Sequence, residues 1–267
     1  MTAGTALVTG ASAGIGREFC QQLAARGHDL ILVARDTERL HALAAELGAR
    51  HGVAAEVMPA DLARDADVDR VVARISAAAL TLLVNNAGFG TTGSVATAPP
   101  GPQEQMLRLH VLAPMRLTRA ALPGMLERRC GAIVNVSSIA SFIYSPGSVN
   151  YCASKAYLTT FTEGLALELA GTGVQAQALC PGFTRSEFHQ RMGADARLRP
   201  GPLWMTAEAV VRASLAQLDR AGPVVCVPGL RNKLLVGLIR LLPRRAIGLV
   251  IGRKDEKAIG RDRTIGR

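Results

Sequence analysis

The chain has 267 residues and a mass of 28.1 kDa; 49% are hydrophobic and 19% charged, enough to bury a sizeable core and to exclude a disordered chain. No run reaches the ~18 unbroken apolar residues of a membrane-spanning helix, and the opening MTAGTALVTGASAGIG lacks the basic stretch and apolar core of a secretory signal. The net charge of +10 is concentrated at one end: residues 231–267 carry eleven Lys or Arg against three acids, residues 1–230 twenty against eighteen, and with aromatics at 4% the pattern argues against a nucleic-acid reader.

In chain order the pattern predicts a strand over Thr5–Thr9, a helix over Ile15–Arg26 ended by Gly27, and a strand over Leu30–Ala34. A helix over Thr37–Leu47 stopped by Gly48 follows, then a strand over Val53–Met58 and a helix over Asp65–Ala78. Leu80–Val84 reads as a strand closed by Asn85-Asn86-Ala87-Gly88, and Gln103–Arg129 as one long helix despite Pro114 and Pro123. Next come a strand over Ala132–Val136, a helix over Val149–Ala170 and a strand over Val174–Leu179. The series ends with loops from Pro181 to about Met205, a helix over Ala207–Leu218 and a last strand over Val224–Val227. Strands that are continuous apolar runs are buried on both faces, and their alternation with helices implies a doubly wound parallel sheet. Residues 1–230 read as one α/β domain, and residues 231–267 as a basic, partly amphipathic extension.

The turn after the first strand reads Thr9-Gly10-Ala11-Ser12-Ala13-Gly14-Ile15-Gly16. Glycines there permit tight backbone angles and close approach of a ligand, and the helix N-terminus presents free N–H groups to a phosphate. The spacing is G-x-x-x-G-x-G and departs from the general dinucleotide fingerprint G-x-G-x-x-G. Together with Asn85-Asn86-Ala87-Gly88 after the fourth strand, Ser138 after the fifth and Tyr151-x-x-x-Lys155, in this order and spacing, it resembles the short-chain dehydrogenase/reductase family over about residues 3–230.

The resemblance implies a Rossmann-type sheet of about seven strands with helices on both faces, a nicotinamide cofactor and a homo-oligomer. It implies cofactor contacts from Gly10, Ser12, Gly14, Ile15 and Gly16, from Asn86, Ala87 and Gly88, and from Tyr151 and Lys155. Asp61-Leu62 would flank the adenine, although Asp61 reads equally as the N-cap of the helix beginning near Arg64. The Pro181-Gly182 turn would meet the nicotinamide carboxamide, with Thr184 on the pyrophosphate or the amide.

Charge bears on which nicotinamide. The second strand ends at Ala34-Arg35-Asp36, where an acid suits the ribose hydroxyls of NAD and an arginine the 2′-phosphate of NADP. Arg35 comes first and is an always-charged, bidentate partner for phosphate, so NADP(H) is favoured over NAD.

Tyr151 and Lys155 lie one helical turn apart on one face. An ammonium beside a phenol favours the phenolate, so the pair is expected to lower the tyrosine pKa and serve as acid/base in hydride transfer. Ser138 would orient the carbonyl oxygen; its neighbour Ser137 is the alternative, and the family pattern favours the second serine.

One residue departs from the family. Where its members usually carry asparagine in the long helix after the fourth strand, supporting a water that relays protons to the lysine, this chain has His110-Val111-Leu112-Ala113-Pro114. His110 donates and accepts and titrates near neutrality, so it reads as the relay residue or as a packed core histidine.

Phe183, Phe188, Met192, Leu198, Leu203, Trp204 and Met205 suit an apolar pocket wall or ordinary packing. Five scattered cysteines without a C-x-x-C pair, and histidines without ligand spacing, indicate no metal site and a reducing, cytoplasmic setting; Cys152 beside Tyr151 reads as a small buried side chain. In Asn232–Arg245, Lys233, Gly237, Arg240 and Arg244 share a stripe among leucines. The segment suits a membrane surface, giving peripheral membrane contact, or a cover for the pocket or a subunit interface. The expected function is NADP(H)-dependent interconversion of a small, apolar ketone or aldehyde and its alcohol; a catalytically impaired NADP(H)-binding sensor is the alternative.

Overall fold

Strands β1 (Thr5–Thr9), β2 (Asp29–Ala34), β4 (Leu80–Asn85), β5 (Gly131–Val136) and β6 (Val174–Leu179) are buried along almost their whole length. A strand this apolar must be covered on both faces, and the chain does so by winding in two directions from β1. With β3 (Ala55–Pro59) at one edge and β9 (Val225–Cys226) at the other, the strands pair in parallel in the order β3-β2-β1-β4-β5-β6-β9. The computed structural model describes residues 3–187, 201, 203–243, 245 and 247.

The period-2 alternation of each strand divides the core into two layers. Ala6, Val8, Leu30 and Leu32 face helices α1 (Gly14–Ala24), α2 (Thr37–His51) and α7 (Ala207–Asp219). Leu7, Ile31 and Val33 face α3 (Asp65–Ser76), α5 (Ala113–Glu127) and α6 (Val149–Glu168). A short parallel pair, β7 (Thr184–Arg185) with β8 (Met205–Thr206), lies outside the main sheet. Helix α8 (Leu230–Leu241) follows β9, so the expected division at residue 230 falls on its first residue.

The expected long helix is helical from Pro100 onward but in three parts: α4 (Pro100–Leu107), a π-helical turn over Arg108–Leu112, and α5. Pro114, which has no N–H to give to the preceding turn, comes just after the π-helical turn, where the Ala113 N–H reaches back to the Arg108 carbonyl. The π-helical turn carries His110, which is buried. Asp61 is not the N-cap of α3; its carboxylate accepts from the Ala63 N–H (3.1 Å) in the preceding turn, and the cap position is Arg64.

Sequence also misplaced the end of α2. The helix runs through Gly48 to His51 and stops at Gly52, whose φ of 68° is the left-handed cap conformation. A Cβ on Gly48 would meet only ordinary contact, with the Val53 carbonyl oxygen at 3.7 Å. The two glycines should therefore respond with opposite sign. Gly48→Ala should stabilise by about 0.5–1 kcal/mol through helix propensity, and Gly52→Ala should destabilise by about 1–2 kcal/mol through left-handed strain, both read from urea unfolding midpoints.

Candidate active site

In an open parallel sheet, ligands bind outside the carboxyl ends of the strands where the winding direction reverses. Here that point is the crevice between β1 and β4, and a cavity of about 840 Å³ opens along it. The two strand ends are stitched together by residues that the sequence reading did not single out for this. Thr9 Oγ1 accepts from the Asn86 and Ala87 N–H groups at 2.9 and 3.0 Å, and Asn86 Nδ2 donates to the Thr9 carbonyl at 2.9 Å.

The glycine turn is shaped for close approach. Gly10 and Gly14 have φ of 66° and 54°. A Cβ on Gly16 would fall 2.2 Å from the Gly10 carbonyl oxygen, so Gly16 belongs to the packing of the turn, whereas Gly10, Ser12, Gly14 and Ile15 line the cavity. Ala13 at the N-cap of α1 offers no side-chain acceptor, which leaves the first N–H groups of the helix to a ligand. An uncapped helix N-terminus over a turn too tight for side chains fits a dinucleotide pyrophosphate. Asp61, Leu62, Asn86, Ala87, Gly88, Pro181, Gly182 and Thr184 line the same cavity, as do Arg35, Tyr151 and Lys155.

At the end of β2 the two charged neighbours differ. Asp36 is committed: it caps α2 by accepting from the Arg39 N–H at 3.0 Å and pairs with Arg39 Nε at 3.3 Å. Arg39 also meets Glu187 at 2.9 Å. Arg35 is exposed and has no side-chain partner among the described residues.

The two serines after β5 have separate tasks. Ser137 is buried, donates to the Lys155 carbonyl (2.9 Å) and meets the Thr159 hydroxyl (2.7 Å), so it fastens α6 to the sheet. Ser138 lines the cavity, accepts from the Ala140 N–H (3.1 Å) and hydrogen-bonds the Tyr151 side chain. Lys155 donates through Nζ to the Val136 carbonyl at 2.9 Å and stands 5.9 Å from the centre of the Tyr151 ring.

The expected drop in the tyrosine pKa is not found. Burial pushes Tyr151 up to about 12, against the opposing pull of the Ser138 hydrogen bond, and burial pushes Lys155 down to about 8. Desolvation of the phenolate outweighs the stabilising hydrogen bond from Ser138. Lys155 nevertheless stays mostly charged at neutral pH.

His110 stands behind the cavity wall rather than in it, with Nε2 against Gly88: a Cβ there would lie 2.7 Å away. Its Nδ1 is 3.0 Å from Ser154 Oγ, and that hydroxyl donates its one proton to the Tyr151 carbonyl at 2.8 Å. Nδ1 therefore carries a hydrogen and donates, leaving Nε2 a bare acceptor, buried and without a partner among the described residues. The ring also meets Tyr151 edge-on at 5.9 Å. The expectation of titration near neutrality is overturned: burial, and then the charge of Lys155, hold the His110 pKa well below its usual value.

Apolar side chains wall the remainder: Phe89, Leu109, Ile139, Ile143 and Phe183, and, from α8, Leu235 and Ile239. The tail thus contributes to the pocket, one of its expected roles. Phe183 stacks on Trp204 at 5.5 Å, while Phe188, Met192, Leu198 and Arg244 lie outside the described residues. Burial raises the Cys152 thiol pKa, in keeping with a packed side chain. No metal-ligand cluster and no helix able to cross a membrane occur among the described residues.

Residues 4–197 match the short chain dehydrogenase family. A very-long-chain 3-oxoacyl-CoA reductase of Phaeosphaeria nodorum is 32% identical over 81% of this chain and 64% of its own length. The chain spans about three fifths of the length of such curated relatives. Among solved structures, a short-chain dehydrogenase from Sphingobium yanoikuyae in complex with NADPH is 37% identical, covers 90% of this chain and 97% of its own, and has a TM-score of 0.80. A bulky-bulky ketone specific alcohol dehydrogenase from Comamonas testosteroni is 31% identical, covers 91% and 96%, and has a TM-score of 0.77.

The state of His110 has a consequence for stability. The folded protein holds it neutral while the unfolded chain protonates it near ~6.5, so its contribution is complete above that pH and is lost as pH falls below it. His28, lowered mainly by burial, acts in the same direction. Thermal unfolding at pH 7.5 and 5.0 should therefore show an acid-induced loss that shrinks, without vanishing, in His110→Asn.

Proposed function

The chain belongs to the short-chain dehydrogenase family and is an NAD(P)-dependent oxidoreductase, and on that premise we propose that it interconverts an apolar ketone or aldehyde and the corresponding alcohol with NADP(H). The observation that carries this reading is the hydrogen-bonded Ser138–Tyr151 pair with Lys155 beside it, in one cavity with the glycine turn. The bound nicotinamide supplies or accepts hydride at the substrate carbon. The protein's side chains manage the oxygen. The Ser138 hydroxyl donates to the carbonyl oxygen and orients it. Tyr151 passes its phenolic proton to that oxygen as negative charge develops, and the Lys155 ammonium stabilises the phenolate left behind. Alcohol oxidation runs the same transfers in reverse.

The dinucleotide would lie on Gly10, Ser12, Gly14 and Ile15, with Asp61 and Leu62 at the adenine and Asn86, Ala87 and Gly88 beneath it. Pro181, Gly182 and Thr184 would hold its nicotinamide end. An unpaired Arg35 beside a fully engaged Asp36 supports NADP(H): the acid that would take ribose hydroxyls is occupied, and the cation that would take a phosphate is not. His110 acts as a positioning residue, because its hydrogen bond to Ser154 is linked to the Tyr151 carbonyl. The aromatic and aliphatic walls support an apolar substrate, in keeping with the similar bulky-bulky ketone specific alcohol dehydrogenase from Comamonas testosteroni. None of the five cysteines forms a disulfide, which suits a reducing compartment such as the cytoplasm.

Two variants and a substrate panel test the reading. Tyr151→Phe should lower turnover of a ketone panel by roughly 10²–10⁴-fold with little change in cofactor affinity. Near-normal turnover would refute the acid/base role, and cofactor binding without turnover by the parent protein would identify a nucleotide sensor.

Arg35→Ala should weaken NADPH binding by about 10- to 150-fold, the equivalent of ~1.5–3 kcal/mol, and leave NADH binding nearly unchanged. Equal weakening of both, measured by fluorescence titration, would remove Arg35 from the phosphate site.

A further inference from the structure

Helix α8 is apolar on two opposite sides. Its inner side is anchored by buried Asn232 and Val236, with Asn232 Nδ2 donating to the Pro228 carbonyl at 3.1 Å, and its Leu235 and Ile239 line the cavity. Arg240 ties the helix to the body, 4.8 Å over the Phe142 ring and 3.6 Å from Glu163. With this side fixed, the helical period turns Leu230, Leu234, Leu238 and Leu241 outward as one stripe, and each is 58% to 84% exposed. Scattered exposed leucines are ordinary; four aligned on one helix make a contiguous apolar patch.

On the helix, exposed Arg231 and Lys233 border the leucines, and Arg240 meets Glu163; in sequence, residues 221–254 hold seven Lys or Arg and no acid. Two copies meeting on this face would bring like charges together, which costs free energy. An anionic lipid surface meets both features at once: acyl chains take the leucines while the cations remain among the headgroups. We propose that the outer face of α8 docks the protein on anionic lipid bilayers, which places the helix that walls the cavity at the membrane surface.

The test uses the full chain and vesicle flotation, and does not depend on which substrate the enzyme takes. The protein should float with phosphatidylcholine vesicles containing phosphatidylglycerol, bind pure phosphatidylcholine vesicles at least roughly tenfold more weakly, and release as salt rises. Leu234→Glu/Leu238→Glu changes exposed positions outside the cavity lining, so its thermal unfolding should match the parent while vesicle binding falls by roughly tenfold or more. Absence of vesicle binding by the parent would overturn the proposal. So would equal binding by the double variant, which would assign the attraction to charge alone. A dimer that the double variant dissociates, without vesicle binding, would instead make this face an interface between copies.

Discussion

Asn135 on β5 and Ser137, the residue just after its end, lie two apart and therefore project toward the same neighbour, helix α6. Asn135 Nδ2 donates to Thr162 Oγ1 at 2.9 Å, and Ser137 Oγ holds the Lys155 carbonyl, while Lys155 Nζ returns a bond to the Val136 carbonyl. All four side chains are buried, and a buried polar group left unpaired costs about 1–3 kcal/mol, so the strand and helix fit in one register. That register sets Tyr151 one turn before Lys155 and within hydrogen-bonding reach of Ser138. The Tyr151 side chain is thus positioned by bonds made between strand and helix.

Burial gives that group its electrostatic character. Tyr151 is pushed up and Lys155 down by the same loss of water, and both shifts favour the neutral forms. A phenol that holds its proton is suited to donate it once negative charge develops nearby. His110 follows the same rule: taken out of water and set near a cation, it is held neutral, with Nδ1 hydrogen-bonded to Ser154. The π-helical turn brings this ring against Gly88, where no larger residue would leave room for it.

Helix α8 links the cavity to the exterior. The contacts of Asn232, Val236 and Arg240 decide its rotation about its axis, and that rotation sends one pair of apolar side chains to the pocket and four leucines to the surface. In sequence the two sets of apolar residues are interleaved with each other and with Arg231, Lys233 and Arg240.

Much of the fold was legible in the chain, because buried strands and amphipathic helices are written in local periods. The apolar runs of β1, β2 and β4, the glycine turn and the one-turn spacing of Tyr151 and Lys155 need only near neighbours to be read. The end of α2 was misread: Gly48 looked like the helix stop, but Gly52, four residues on, holds the left-handed position. At the end of β2 charge pointed to Arg35 over Asp36, and the structure adds that Asp36 caps α2 and pairs with Arg39. Ser137 and Ser138 are told apart by a helix that follows more than ten residues later. The pKa directions of Tyr151, Lys155 and His110 come from burial, which exists only after the layers have closed. Sequence alone determined the winding of the sheet, the glycine turn at its switch point and the one-turn spacing of Tyr151 and Lys155. Tertiary packing decided which neighbouring side chain is engaged and which is free, because hydrogen bonds and desolvation act between residues far apart along the chain.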